Sequence, residues 1–250
     1  MNYKWNWAVL FSPPYLEWIA QGLLWTLAIS VCALLLALVL GSLIGIGRTA
    51  RSPFVRRVCG AYVEVFRNIP LLVQMFLWFF VLPEVVPTDL GTWLKRDLFY
   101  PEFSNAVLCL GTYTASRVAE QVRAGLQSIP KGLASAALAT GQTQGQVYRH
   151  ILLPLALRIV IPPLTSESMA VFKNSSLALT IGMLELTAQT RQVAEYTFAS
   201  FEAFTAATVL YLVVSLTILA ATRKLERRLA VPGMLAANTD REILETWTSR

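Results

Sequence analysis

Long runs of apolar residues alternate along this chain with short polar segments that carry most of its charge. Uncharged runs occupy residues 18–47, 68–83, 105–116, 159–166 and 203–222. Several of them reach or approach the roughly 20 apolar residues that a helix needs to cross the hydrocarbon core of a bilayer. We therefore predict an all-α, polytopic membrane protein with five transmembrane helices. They are expected over residues 19–47, 58–82, 104–126, 158–180 and 203–222.

The basic residues predict how these helices are oriented. Residues 48–57, after the first span, carry arginines and no acidic residue, and residues 223–228, after the last span, are also mainly basic. Because basic segments are retained on the cytoplasmic side, residues 1–18 are expected outside and the tail, residues 229–250, inside. Residues 183–202 are then a polar helical excursion on the outside, with solvated charged faces.

Composition narrows the class of protein. The chain has 250 residues, of which 55% are hydrophobic and 14% are charged, whereas a soluble domain carries about 25% charged residues. The net charge is +6, and the basic residues that produce it lie between the apolar runs. This distribution fits membrane topology better than a nucleic-acid-binding face. The three cysteines have no CxxC spacing and His150 is the single histidine, so we expect neither a metal site nor a cofactor.

Two local features refine the first two spans. Gly41, Gly45 and Gly47 near the end of the first span predict a close contact with a neighbouring helix, because glycine has no side chain to hold two backbones apart. Pro70 removes a backbone hydrogen bond within the second span and predicts a kink there.

Charged residues inside the third span are the first candidates for a binding site. Arg117, Glu120 and Arg123 fall near one face of the predicted helix. An arginine in a membrane helix costs about 2.5–3.5 kcal/mol on insertion scales, so it normally faces protein or water and serves a function. One interpretation is a structural salt bridge between Arg117 and Glu120. The other is a binding charge in a polar path, where the guanidinium holds a carboxylate through two parallel hydrogen bonds.

The fourth span contains a second polar group. Lys173, Asn174 and Ser175 stand among apolar residues. Amide and hydroxyl groups at such positions either bind a polar substrate or hold helices together by hydrogen bonds between them. The sequence leaves both interpretations open.

A stretch too polar to cross a membrane, residues 128–154, separates the third and fourth spans. Gly141 ends a short helix within it, because glycine adopts the left-handed conformation without steric cost. Thr143 and Gln146 have the spacing of a capping box for a second short helix, which Pro154 limits. The pattern predicts a helix–bend–helix elbow that is presented to a partner in water.

This elbow resembles the cytoplasmic coupling loop of ABC importer permeases, in which Glu-Ala-Ala is followed at fixed spacing by Gly and by Ile-x-Leu-Pro. The matching residues are Ser135, Ala136, Ala137, Gly141, Ile151, Leu153 and Pro154. Ser135 stands where the family usually has Glu. The resemblance implies the type I ABC importer (MetI-like) permease fold over residues 19–228.

Two more segments resemble the polar amino acid branch of this family. Residues 113–125 are similar to the segment Y-x-A-E-x-x-R-x-G, and residues 172–182 are similar to K-[DN]-[ST]-S-L…I-G. With Arg117 as a candidate counter-charge for an acidic substrate, the chain resembles the glutamate/aspartate branch of this family. The substrate-binding residues implied are Ser116, Arg117, Glu120, Lys173, Asn174 and Ser175.

The resemblance also implies the partners of the chain. They are a pair of ABC ATPase subunits at the elbow, a periplasmic solute-binding protein, and a second permease subunit, identical or homologous, in the bacterial inner membrane. No GxxxxGK[ST] phosphate-binding loop occurs, so ATP hydrolysis is expected from the partner chains. The alternatives are the same fold importing another polar amino acid and an ion-coupled secondary transporter.

Overall fold

The computed structural model describes residue 3 and residues 5–229, whose regular secondary structure is helical throughout. The predicted cytoplasmic tail lies outside the described residues except for Leu229. In the first half, the α-helices are α1 Tyr15–Gly47, α2 Pro53–Asn68, α3 Leu71–Phe76, α4 Leu82–Val85, α5 Thr88–Thr92 and α6 Pro101–Gln127. In the second half, they are α7 Lys131–Ala139, α8 Gln144–Val147, α9 Leu153–Asn174, α10 Leu186–Thr197 and α11 Ser200–Leu229.

The contact between α1 and α6 is the centre of the fold. A Cβ atom added at Gly41 would lie 2.6 Å from Cβ of Val118 and 2.7 Å from the carbonyl oxygen of Ala115. At Gly45 it would lie 2.7 Å from the carbonyl oxygen of Ala119. The glycines therefore allow the two backbones to approach closely, as the sequence predicted.

The second predicted span differs from a kinked helix. The helix pair Pro53–Asn68 and Leu71–Val85 is bent by 103°. Pro70 is extended, with φ −56° and ψ 136°, and it forces the preceding residue out of the helical region. Gln74 Nε2 donates to the carbonyl oxygens of Phe66 at 2.7 Å and Ile69 at 2.8 Å, so that these half-buried acceptors stay paired at the bend.

The spans can be judged by length and composition. In the described part of the chain, Tyr15–Gly47, Gln144–Ile181 and Ser200–Lys224 are long and apolar enough to cross a membrane, and the bent pair makes a fourth if it counts as one span. Helix α6, over the third predicted span, does not meet this measure because polar and charged side chains lower its hydropathy. The number of five spans stays a prediction.

Residues 183–202, which the sequence predicts to lie outside, are anchored rather than solvated on all faces. The Glu185 side chain is fully buried and caps α10, because its Oε1 accepts from the Ala188 N–H at 2.9 Å. Its Oε2 accepts from the Tyr211 hydroxyl at 2.9 Å and from Thr26 at 3.3 Å. One carboxylate thus ties α10 to α1 and α11, and burial raises its pKa above the usual range. The prediction of solvated charges was wrong for this residue.

Glu202, also fully buried, fastens the N-terminal segment to the start of α11. It accepts a hydrogen bond from the Tyr3 hydroxyl and another from the Asn6 N–H, at 2.7 Å. The Tyr3 ring packs edge-on against Phe201, with 4.9 Å between centroids. Aromatic contacts and a buried carboxylate therefore hold this segment in place.

Candidate functional site

Arg117 on α6 forms a two-point ion pair with Glu167 on α9. Its Nε donates to Oε2 at 2.7 Å and its Nη2 donates to Oε1 at 3.0 Å. Gln121, one turn further along α6, donates to the same Oε1 at 2.8 Å. The guanidinium therefore already holds a carboxylate in the parallel geometry that favours arginine for this task.

The two partners differ in their access to solvent. The Glu167 side chain is 5% exposed, whereas that of Arg117 is 45% exposed. A buried carboxylate is costly unless it is paired and hydrogen-bonded, so Arg117 and Gln121 offset the burial of Glu167. The buried Oε1 of Gln121 has no hydrogen-bond partner among the described residues, which leaves one acceptor beside the pair.

Glu120 belongs to a different group, which we call the Glu120 cluster: Glu120 with Arg48, Arg67 and Arg123. Oε1 of Glu120 accepts from Arg123 Nε at 3.1 Å, and Oε2 pairs with Arg48 at the end of α1. Arg67 Nη1 lies 3.8 Å from Oε2. The interpretation in which Arg117 pairs with Glu120 was therefore wrong, because the end of α1 brings another cation to Glu120 and α9 brings a buried carboxylate to Arg117.

The two serines of the predicted site have inward-facing hydroxyls. Ser116 Oγ donates to the Tyr113 carbonyl at 2.6 Å, and Ser175 Oγ donates to the Phe172 carbonyl at 2.8 Å. Both residues are fully buried. Each hydroxyl bonds to its own helix, as serine commonly does there, and a role for either in binding stays a prediction.

Lys173 lies in a cleft between the end of α9 and α11. The cleft has a volume of about 400 Å³. Its lining includes Lys173, Ser176, Thr187, Tyr211, Leu212 and Ser215. The structure thus places the predicted cations in two environments, with Arg117 against Glu167 and Lys173 among hydroxyl groups, while Asn174 is half-buried beside Lys173.

Glu167 and Gln121 were missed as site residues. The signal for Glu167 was present, because an acidic residue within an apolar run requires a partner, and Arg117 was the complementary charge in another span. Gln121 gave no comparable signal, since a neutral amide next to Glu120 is also typical of a helix surface.

The elbow has the predicted bend, but Pro154 does not end its second helix. That helix continues through Tyr148–Leu152 into α9, and Pro154 lies in the first turn of α9, where proline is tolerated. Helix α7 ends before Gly141, whose φ is +83°, and α8 begins at a capping box. The Gln146 side chain accepts from the Thr143 N–H at 2.9 Å, while Thr143 Oγ1 accepts from the Gln146 N–H at 3.3 Å. Ser135 and Ala136 are exposed and Ala137 is buried, so the elbow presents small side chains to solvent.

The elbow is continuous with the helix that carries the candidate site. Helix α8 passes through the π-turn Tyr148–Leu152 into α9, and the resulting rod, Gln144–Ile181, has 38 residues. Both Glu167 and Lys173 lie on this rod. The elbow and the Arg117–Glu167 pair are therefore joined by one helical segment, which also contains Pro162 and Pro163.

The sequence of this chain is similar to those of known transport components. Residues 18–231 match the family described as binding-protein-dependent transport system inner membrane component. The chain is 42% identical over 241 residues to the glutamate/aspartate import permease protein GltJ of Escherichia coli (strain K12), covering 93% of this chain and 98% of that protein. It is 32% identical over 228 residues to the glutamine transport system permease protein GlnP of the same strain, covering 91% and 99%.

Solved structures agree in fold. A chain in the crystal structure of an amino acid ABC transporter with histidines superposes with a TM-score of 0.77 and 26% identity, covering 90% of this chain and 100% of that chain. A chain of the inward-facing MetNI methionine ABC transporter gives a TM-score of 0.67 at 22% identity, covering 88% and 100%. The second likeness concerns the fold alone.

Proposed function

The chain belongs to the family of inner membrane components of binding-protein-dependent transport systems, and from this premise we propose that it is the permease subunit of an ATP-driven importer of glutamate and aspartate. The observation that carries the substrate class is the two-point binding of a carboxylate by Arg117. The 42% identity to a protein named a glutamate/aspartate import permease supports it. Family membership favours this function over ion-coupled transport.

The chemistry of the substrate fits the charges around Arg117. At neutral pH an acidic amino acid carries two carboxylates and one ammonium group. The Arg117 guanidinium would bind a carboxylate in place of Glu167, and Glu167 together with the free Oε1 of Gln121 would receive the ammonium group. Lys173 and Asn174, further along the same rod, would add positive potential and an amide to the path.

The elbow is the proposed site of coupling to ATP. We expect a pair of ABC ATPase subunits to dock on the exposed faces of α7 and α8. A periplasmic solute-binding protein would deliver the substrate on the opposite side, and a second permease subunit would complete the path. When the ATPases close on ATP, the elbow would move with them, and the rod would change the position of Glu167 relative to Arg117 on α6.

The substitution Arg117→Lys tests the role of the guanidinium. Lysine keeps the positive charge that the buried Glu167 requires but lacks the two-point fork. In the assembled transporter we expect the KM for glutamate and aspartate uptake to rise about ten-fold or more, since one charge-assisted hydrogen bond is worth roughly 1.5–3 kcal/mol. Arg191→Lys, at an exposed pair on α10, is the matched control. Unchanged uptake kinetics in Arg117→Lys would remove the proposal.

A further inference from the structure

Helix α2 has an exposed apolar face that no described residue covers. Phe54, Val58 and Val65 are 75%, 54% and 53% exposed, and together with Ala61 they form one row along the helix. The opposite face is packed, since Val63 is 2% exposed. The Tyr62 hydroxyl donates to the Thr112 carbonyl at 2.8 Å, which fixes α2 against α6 and turns the row outwards.

Positive charge accompanies this row. Arg51 and Arg57 are exposed and form no ion pair among the described residues. Arg56 donates to the carbonyl oxygens of Ala50 and Arg51 at 3.0 and 2.9 Å, so it holds the loop before the helix. Glu64 is the single acidic residue of α2. The surface therefore combines apolar area with an excess of cations.

The orientation of α2 suits the boundary of the bilayer. It meets the apolar segment Leu71–Val85 at 103°. If that segment runs into the membrane, α2 lies roughly in the plane of the surface. Its charged side chains are then at headgroup level and its apolar row reaches the acyl chains, which is the arrangement of an interfacial amphipathic helix.

We propose that α2 is a binding surface for anionic phospholipids, in which Arg51 and Arg57 contact headgroup phosphates and the row Phe54, Val58, Ala61 and Val65 contacts acyl chains. The occupant is lipid because an apolar face flanked by free cations complements a negatively charged, apolar partner. The excess of arginines distinguishes it from the neutral lipid contact of an ordinary span. This inference goes beyond the proposed transport function and does not depend on the substrate.

A photo-crosslinking amino acid identifies the occupant directly. The full chain, with p-benzoylphenylalanine in place of Phe54, is irradiated in lipid nanodiscs. The nanodiscs consist of phosphatidylethanolamine with roughly 30% phosphatidylglycerol, which gives the membrane a negative surface potential. Mass spectrometry of the adducts is expected to show lipid, with phosphatidylglycerol enriched over its bulk ratio. An adduct to the acyl chain also distinguishes a membrane lipid from free phosphate.

The double variant Arg51→Gln, Arg57→Gln tests the charges. We expect the phosphatidylglycerol preference to fall roughly five-fold per arginine until it reaches the bulk ratio. The matched control Arg96→Gln, Arg191→Gln removes two exposed arginines elsewhere and is expected to keep the preference. Adducts at the bulk lipid ratio, the absence of a lipid adduct, or, in the assembled transporter, adducts to a second protein would each overturn the proposal.

Discussion

We predict that the two residues of the Arg117–Glu167 pair contribute unequally to the free energy of unfolding. Replacing Arg117 by Leu leaves a carboxylate that is 5% exposed without its partner, whereas replacing Glu167 by Leu leaves a guanidinium that is 45% exposed to solvent. Breaking a buried pair from one side costs about 3–5 kcal/mol. An ion that water reaches loses only about 0–1 kcal/mol. Arg117→Leu is therefore expected to be the more destabilising change by about 2–5 kcal/mol.

The double variant Arg117→Leu, Glu167→Leu separates charge from packing. It removes the unpaired carboxylate together with its partner, so we expect it to recover most of the loss caused by Arg117→Leu. Its transport of glutamate should still be absent under the proposed function, because the guanidinium is missing. Between Arg117→Leu and the double variant, stability is thus expected to recover while transport stays absent.

Thermal unfolding of the detergent-purified chain measures these effects. A change of 1 kcal/mol shifts Tm by about 2–4 °C in a protein of this size range, so Arg117→Leu is expected to lower Tm by about 6–20 °C. Arg191→Leu, which breaks a pair with 64% and 59% exposed side chains, is the control and is expected to change Tm little. Equal losses for Arg117→Leu and Glu167→Leu, or a double variant no more stable than Arg117→Leu, would refute the argument.

Three further predictions follow from the helix packing, the hydrogen bonds of Glu185 and the elbow. Gly41→Leu should prevent normal folding because even a Cβ atom would lie 2.6 Å from Val118 Cβ; the yield of monodisperse chain measures this, and Gly132→Ala, with nothing within 4 Å of the new Cβ, should behave as wild type. Because burial raises the pKa of Glu185, the folded state binds that proton more tightly than the unfolded state. The stability contributed is present below the unfolded pKa and is lost as pH rises through the folded value, and Glu185→Gln should flatten this part of a Tm-against-pH profile. Ala136→Arg, on the exposed elbow, should reduce co-purification of the ATPase subunits while leaving Tm unchanged, and full retention of the ATPase would argue against docking there.

Local signals in the sequence were sufficient for the bend of the elbow and for the contact of α1 with α6. Gly141 and the capping box of Thr143 and Gln146 act through bonds within a few residues, so their spacing alone predicts the bend. The glycines of α1 act through a contact with another helix, but glycine permits close packing against whichever helix lies beside it. Features of this kind do not depend on which helix lies beside them.

The bend before α3 and the partner of Arg117 depended on tertiary contacts. Pro70 predicts a break in the helix, but the angle of 103° follows from how Gln74 pairs the freed carbonyls and how α2 packs on α6. Likewise, sequence spacing offered Glu120 as one partner for Arg117, whereas packing brought in Glu167 from 50 residues away. Glu185 is buried for the same reason, since its partners come from α1 and α11.

The attachment of Tyr3 and Asn6 to Glu202 has a practical consequence for expression work. The first described residues pack against the start of the last long helix. Removing them would leave the buried Glu202 carboxylate without its hydrogen-bond donors, which is more than the loss of a flexible terminus. Affinity tags or fluorescent reporters placed there are expected to disturb α11 from its N-terminal end.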